Sequence, residues 1–160
     1  MYDQLHKFSA ETSQVVRYVY FQSFVMAEQD LEPIKTKLNS LGESGRGFSD
    51  AVRGIYTASK ERDNASFFVK LYRYGDPKEI LEASDKFKRE AYRSMVDDYE
   101  RGFLICWGIA LRTLAELKEK YPDYPLKDEQ QPANRKVEEQ ADYEVAPRKK
   151  ARVSKKDRSI

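Results

Sequence analysis

DPKEILEASDKFKREAYRSMVDDYERGFLICWGIALRTLAELKEKY, residues 76–121, decides the fold. Asp76 precedes a proline, and Glu79 follows three residues on. This order supplies a side-chain acceptor for a helix N-terminus, a residue preset for the first helical position, and the acid of a capping box. Apolar residues then recur at Ile80, Leu81, Phe87, Ala91, Met95, Tyr99, Phe103, Trp107, Ala110, Leu114 and Leu117. The steps are mostly three or four, the helical period. The pattern predicts one long helix, or two with a break near Ser84-Asp85, ending before Pro122. Unbroken, it would span roughly 65 Å at 1.5 Å per residue. Trp107 falls on the apolar face and is expected in the core.

The same period runs through the chain before residue 76. A first segment carries Leu5, Phe8, Val15, Val16, Val19, Tyr20, Phe24 and Val25. A second, PIKTKLNSL, carries Ile34, Leu38 and Leu41. A third starts near Phe48 and uses Val52, Ile55 and Tyr56. A fourth follows Asn64, a candidate N-cap, and uses Phe67, Phe68, Leu71 and Tyr72. Breaks are expected at Pro33, at the glycines of LGESGRGF (Gly42, Gly45, Gly47), and at Gly75-Pro77. VVRYVYFQSFV has β-forming composition, but its length and flanks favour a buried helix. The predicted fold class is all-α: a bundle of about four to five helices with a long C-terminal helix, over residues 1–121.

The chain has 160 residues, 40% of them apolar and 35% charged, with a net charge of +2. Its charge is unevenly spread. Residues 1–121 hold 19 basic and 19 acidic side chains, residues 122–145 hold 3 and 7, and residues 146–160 hold 7 and 1. Residues 122–160 therefore read as an acidic-then-basic tail, expected to be disordered over 126–160 because it lacks apolar periodicity. For PRKKARVSKKDR three readings stay open: a nucleic-acid arm, a nuclear signal, or a solvated tail.

Cys106 is the one cysteine, so no disulfide forms within the chain and no cysteine-based zinc site exists. Its apolar surroundings predict a buried, inert thiol. No apolar run reaches the 18 residues of a membrane span, and MYDQLHKFSAETS lacks a signal-peptide stretch. A cytoplasmic protein is expected, or a nuclear one in a eukaryote, with no membrane partner.

Catalytic chemistry finds little support. His6 is the one histidine, near the terminus, and reads as a surface or packing residue. Asp97, Asp98 and Glu100 lack the Glu-x-x-His element of a carboxylate metal site and read as solvated partners of Arg93 and Arg101. GESGRGF lacks the Gly-Lys-Ser/Thr and preceding strand of a phosphate loop; a flexible interhelical loop is expected, with Arg46 as a possible phosphate contact. No catalytic residue, metal ligand or cofactor is expected, and the protein is not expected to be an enzyme.

Basic side chains align on predicted helix faces. Lys86, Arg89 and Arg93 lie three and four apart, with Arg101 eight further on. Arg53 and Lys60 are seven apart, and Lys70 and Arg73 three apart. Tyr56, Tyr72, Tyr74 and Tyr92 interleave with them. Such stripes are either solvated faces or a surface for a phosphate backbone. The candidate nucleic-acid-binding residues are thus Arg46, Arg53, Lys60, Lys70, Arg73, Lys86, Arg89, Arg93 and Arg101.

ASFFVKLYRYGDPKEILEASDKFKREAYRSM, residues 65–95, with the helix after it, resembles the small helical (Cas11-like) subunits of CRISPR effector complexes. The likeness is greatest to the type I-D small subunit, which corresponds to the C-terminal helical part of the large Cas10-like subunit. It is a likeness of texture over residues 1–121, without a diagnostic motif. The resemblance implies a non-catalytic bundle in a multi-subunit ribonucleoprotein. It would lie along guide RNA and target DNA, beside other subunits and a second copy of itself, and hold nucleic-acid backbones while base pairing reads sequence. The alternative is a helical protein–protein interaction module, an adaptor or phage-encoded inhibitor, whose charges are only solvated.

Overall fold

The computed structural model describes residues 3–124, and every regular element among them is helical. The order is α1 (Asp3–His6), α2 (Ser9–Tyr20), α3 (Phe24–Asn39), α4 (Gly42–Glu61), α5 (Phe67–Tyr74), α6 (Pro77–Ala91) and α7 (Asp98–Lys120). The all-α expectation holds: five of these helices have 12 or more residues, and α1 and α5 are short connecting pieces. The expected disordered tail lies, from residue 125 on, outside the described residues.

Helix α7 is the axis of the bundle, with α2, α4 and α6 packed around it and α3 closing the far side of α2 and α4. Its apolar residues Ile105, Cys106, Ala110, Leu111, Leu114 and Leu117 meet Val15, Val16, Val19, Phe48, Val52, Ile55 and Ile80 in one core. Helix α6 runs antiparallel to α7, since Ser84 bonds the Gly108 carbonyl (2.6 Å) and the Ala91 carbonyl accepts from Arg101 (2.7 Å). Helix α2 runs parallel to α7, with Ser13 opposite Thr113 (2.7 Å) and the Tyr20 hydroxyl on the Tyr121 carbonyl (2.5 Å).

Several expected boundaries move, each for a physical reason. Asp76 caps α6 as foreseen, accepting from the Glu79 amide at 2.8 Å. The break in the long C-terminal pattern, however, falls at residues 92–97 rather than at Ser84-Asp85. Ser84 is buried in the middle of α6, whereas Asp97 caps α7 by accepting from the Glu100 amide at 2.8 Å. Asp97 and Glu100 are therefore a helix start, not just solvated partners of arginine.

The glycine-rich stretch is a helix rather than a flexible loop. A Cβ on Gly47 would run into the Tyr99 carbonyl, and one on Gly102 into the Ser44 carbonyl. These glycines let the starts of α4 and α7 cross with their backbones in contact, which no larger residue permits. The third segment accordingly begins at Gly42, not near Phe48. Pro33 does not end a helix: it lies within α3, exposed to solvent. The first segment is cut at Phe21–Ser23, where Gln22 takes a left-handed conformation (φ 61°), and Val25 beyond it is 71% exposed. Ser66, not Asn64, caps α5, accepting from the Val69 amide at 3.4 Å.

Candidate nucleic-acid interface

The nine candidate basic residues separate into two groups. Five are engaged by neighbouring groups. Arg46 pairs with Glu43 (2.8 Å) and Arg53 with Asp50 (3.8 Å), each one turn back on α4. Lys60 lies 5.8 Å from the Tyr56 ring centre, a cation–π arrangement. Arg73 donates to the Asn64 side chain at 2.8 Å, across the turn that leads into α5.

Arg101 is a clamp on the chain reversal. Its Nε donates to the Ala91 carbonyl (2.7 Å), and one terminal nitrogen donates to the carbonyls of Arg93 and Val96 (both 3.1 Å). The Ala91 carbonyl is left without an intrahelical partner where α6 ends, and those of Arg93 and Val96 belong to the turn that follows. Arg101 thus serves the backbone, in place of the phosphate contact expected of it.

The other four are Lys70 on α5, Lys86 and Arg89 on α6, and Arg93 in the turn after it. All are exposed, and their side chains make no ion pair or hydrogen bond among the described residues. Lys86 and Arg89, three apart, point away from the buried face of α6 formed by Ile80, Ser84 and Ala91. The predicted common face is corrected at Arg93, because α6 ends at Ala91 and Arg93 follows the turn instead of the helix. Glu79 and Glu82 lie in the first half of α6 and Lys86, Lys88 and Arg89 in the second, although Lys78 and Glu90 break the segregation. That polarity also suits the helix dipole, acids at the N-terminus and bases at the C-terminus.

Sequence reasoning missed an aromatic ladder. Trp107 stacks on Phe87 (5.6 Å between ring centres, 27° between planes), and it contacts Phe67 (6.0 Å), Phe68 (6.3 Å) and Phe103 (6.4 Å). Tyr99 extends the series through Phe103 at 6.5 Å. Its signal was present as the four-residue steps Tyr99, Phe103 and Trp107. The expectation of a core Trp107 is corrected: it is partly buried against the core, and its Nε1 has no hydrogen-bond partner among the described residues. Phe67, at the outer end, is 46% exposed.

Other polar groups act inside the fold. The Tyr99 hydroxyl donates to Asp50 at 2.6 Å, and the carboxylate holds the phenol above its ordinary pKa. Cys106 is fully buried, and burial raises its thiol well above the ordinary value, as an inert core cysteine requires. His6 is exposed and bonds the Tyr92 hydroxyl at 2.9 Å. Among the described residues, no three His, Cys, Asp or Glu side chains are grouped to hold a metal ion. No described helix is long and apolar enough to cross a membrane.

Site and fold together define, among the described residues, an all-α bundle with four exposed basic candidates that make no ion pair or hydrogen bond, and a half-exposed aromatic seam. Comparison with protein-family models, curated proteins and solved structures finds no match to this chain.

Proposed function

We propose that this chain is a non-catalytic helical module that holds a nucleic-acid backbone, acting as a small subunit of an RNA-guided CRISPR effector complex. The backbone-binding part is carried by one observation: Lys70, Lys86, Arg89 and Arg93 are exposed cations without partners among the described residues, while the other basic candidates are already engaged. Exposed cations on α5, on α6 and in the turn after it suit phosphates, whose binding gains from counterion release without reading bases. The place in an RNA-guided assembly rests on the resemblance of residues 65–95. There the module would lie beside other subunits, guide RNA and target DNA.

The test is a salt titration of binding to single-stranded DNA and to a guide–target hybrid. Replacing Lys86, Arg89 and Arg93 together by Ala should weaken binding to every sequence. It should also flatten the salt slope by roughly 0.7 to 0.9 per lost contact. Folding should be spared, since exposed substitutions change stability by about 0.5 kcal/mol or less. A triple variant that binds like the parent at every salt concentration refutes the reading.

A second reading, a protein-interaction module, has its own observation. Phe67 (46% exposed), Tyr74 (80%) and Met95 (92%) are large apolar side chains on the surface. Tyrosine and other aromatic side chains of this kind are enriched at protein interfaces, where a partner would cover them. Phe67→Ala and Tyr74→Ala that abolish capture of a protein partner, with nucleic-acid binding unaltered, would favour it.

A further inference from the structure

On the flank of the α6–α7 seam opposite the aromatic ladder, a cavity of about 350 Å³ opens between the start of α2, α6 and the middle of α7. Ile105 and Ile109 give it an apolar floor. Two cations reach it from different helices, Lys88 from α6 and Arg112 from α7. Hydroxyls come from Ser9 and Ser13 on α2 and from Thr113 on α7. Glu116 is the one carboxylate of the lining, and it stands 3.7 Å from Arg112.

The placement of Lys88 is built into the packing. Gly108 leaves a gap on α7, and the Lys88 stem lies across it: a Cβ at Gly108 would come within 2.8 Å of Lys88 Cγ and 3.6 Å of Cε. Ser84, one turn earlier on α6, bonds the Gly108 carbonyl and locks that register. The stem is thereby ordered before any ligand arrives, while the ammonium has no ion-pair partner among the described residues. The walls are fixed as well, by the Ser13–Thr113 bond (2.7 Å) and the His6–Tyr92 bond (2.9 Å). Helix α2 begins here, at Ser9, without a side-chain cap on its first amides.

We propose that this cavity binds the phosphate group of a phosphomonoester. A dianion matches the Lys88 ammonium, the Ser9 hydroxyl and the Arg112 guanidinium, which it would share with or take from Glu116, and these groups supply charge-assisted hydrogen bonds; the Ser13 and Thr113 hydroxyls are spent on each other and on the Ile109 carbonyl and only shape the wall. The apolar floor accommodates the group that carries the phosphate. This site is separate from the outer face of α6 and does not depend on the backbone-binding reading.

The test uses the full chain and follows amide chemical shifts in three titrations: inorganic phosphate, a 5′-phosphorylated dinucleotide, and the same dinucleotide with a 5′-hydroxyl. The expected result is saturable shifts at Ser9, Ser13 and Thr113 with the phosphorylated probes. Lys88→Gln and, separately, Arg112→Gln should weaken binding by about tenfold or more, the loss of a charge-assisted hydrogen bond. Lys35→Ala, on α3 and outside the cavity lining, should leave it unchanged. Phosphate binding without preference for the dinucleotide identifies a free small phosphate as the ligand. A preference for the 5′-phosphate over the 5′-hydroxyl, lost in Lys88→Gln, identifies a nucleic-acid end. Absence of saturable shifts with every probe overturns the proposal, and so does binding that neither Lys88→Gln nor Arg112→Gln alters. Arg112 is exposed, so its variant keeps the test decisive if Lys88→Gln fails to fold.

Discussion

Lys118 shows how far a side chain's setting can depart from its place along a helix. It lies in the last turn of α7, where a lysine suits the helix dipole. It is nonetheless buried, with Nζ donating to the carbonyls of Leu71 (3.0 Å) and Tyr72 (2.8 Å) at the end of α5. Nothing within α7 predicts this, because the acceptors come from a helix some 46 residues earlier. Burial lowers the Lys118 pKa below 10.5, against the opposing pull of Asp76 and Glu79. Lys118→Met keeps the stem but removes both donors. The Leu71 carbonyl retains the Gly75 amide at 2.9 Å, whereas the Tyr72 carbonyl loses its charged partner. A loss of about 1–3 kcal/mol is expected in denaturant titration. The pH dependence has a definite sign. Between the lowered folded-state pKa and 10.5 the unfolded chain binds more protons, so stability rises with pH across that window. Tyr99 acts oppositely: its raised pKa gives a contribution present below 10.0 and lost as pH climbs through the folded-state value. The buried Cys106 thiol, raised from 9.0, also lowers stability as pH climbs past that value, so the rise should stand alone in a Tyr99→Phe, Cys106→Ala background, and Lys118→Met should abolish it there. A rise that persists with all three replaced would mean that another group is responsible.

At the level of elements, glycine was the most misleading signal. Gly42, Gly45 and Gly47 suggest a loop because glycine forms helices poorly. The role of Gly47 appears only once α7 is placed against α4, and that of Gly45 only against the Leu38 carbonyl of α3, for a sequence does not show which backbone will approach which. Gly54, in the same helix, is exposed, and a Cβ there would meet nothing within 4 Å. The two kinds of position respond oppositely to one substitution. Gly54→Ala should raise stability by about 0.5–1 kcal/mol by restricting the unfolded chain and favouring the helix. Gly102→Ala should lower it by about 1–3 kcal/mol or more, since its methyl group meets the Ser44 carbonyl. Thermal melts of the two variants decide the matter; equal shifts would mean that α4 and α7 are not in backbone contact. The boundary between α6 and α7 was hidden for a different reason. Apolar residues continue in steps of four through Phe87, Ala91, Met95, Tyr99 and Phe103, straight across the turn. Met95, in phase with that series, ends up 92% exposed. The capping pair Asp97 and Glu100 is the legible signal, but in sequence the same acids suit ion pairs with Arg93 and Arg101 equally well.

For the whole molecule, apolar spacing sufficed to specify an all-α bundle, because each long helix buries one face against a common core. Charge was less legible. Nine basic residues looked alike, yet which of them stay unpaired depends on the carboxylates, rings and carbonyls that folding brings near. The Arg101 clamp has a consequence for the species that exist in solution. The turn at 92–97 holds α6 and α7 as a hairpin, but the uninterrupted apolar phase suits a straight rod equally well. The two forms differ in whether the carbonyls of Ala91, Arg93 and Val96 are bound by Arg101 or by amides of a continuous helix. In the rod, α6 leaves its own α7 and must pack on that of another copy. Such an exchange of identical elements preserves the core contacts while doubling the mass. Arg101→Ala should therefore populate an exchanged dimer that grows with protein concentration, seen by size-exclusion chromatography with light scattering. A variant that remains monomeric at every concentration would show that other contacts hold the hairpin closed. If the variant dimerises, the guanidinium that folds the chain back on itself is also what holds two chains apart.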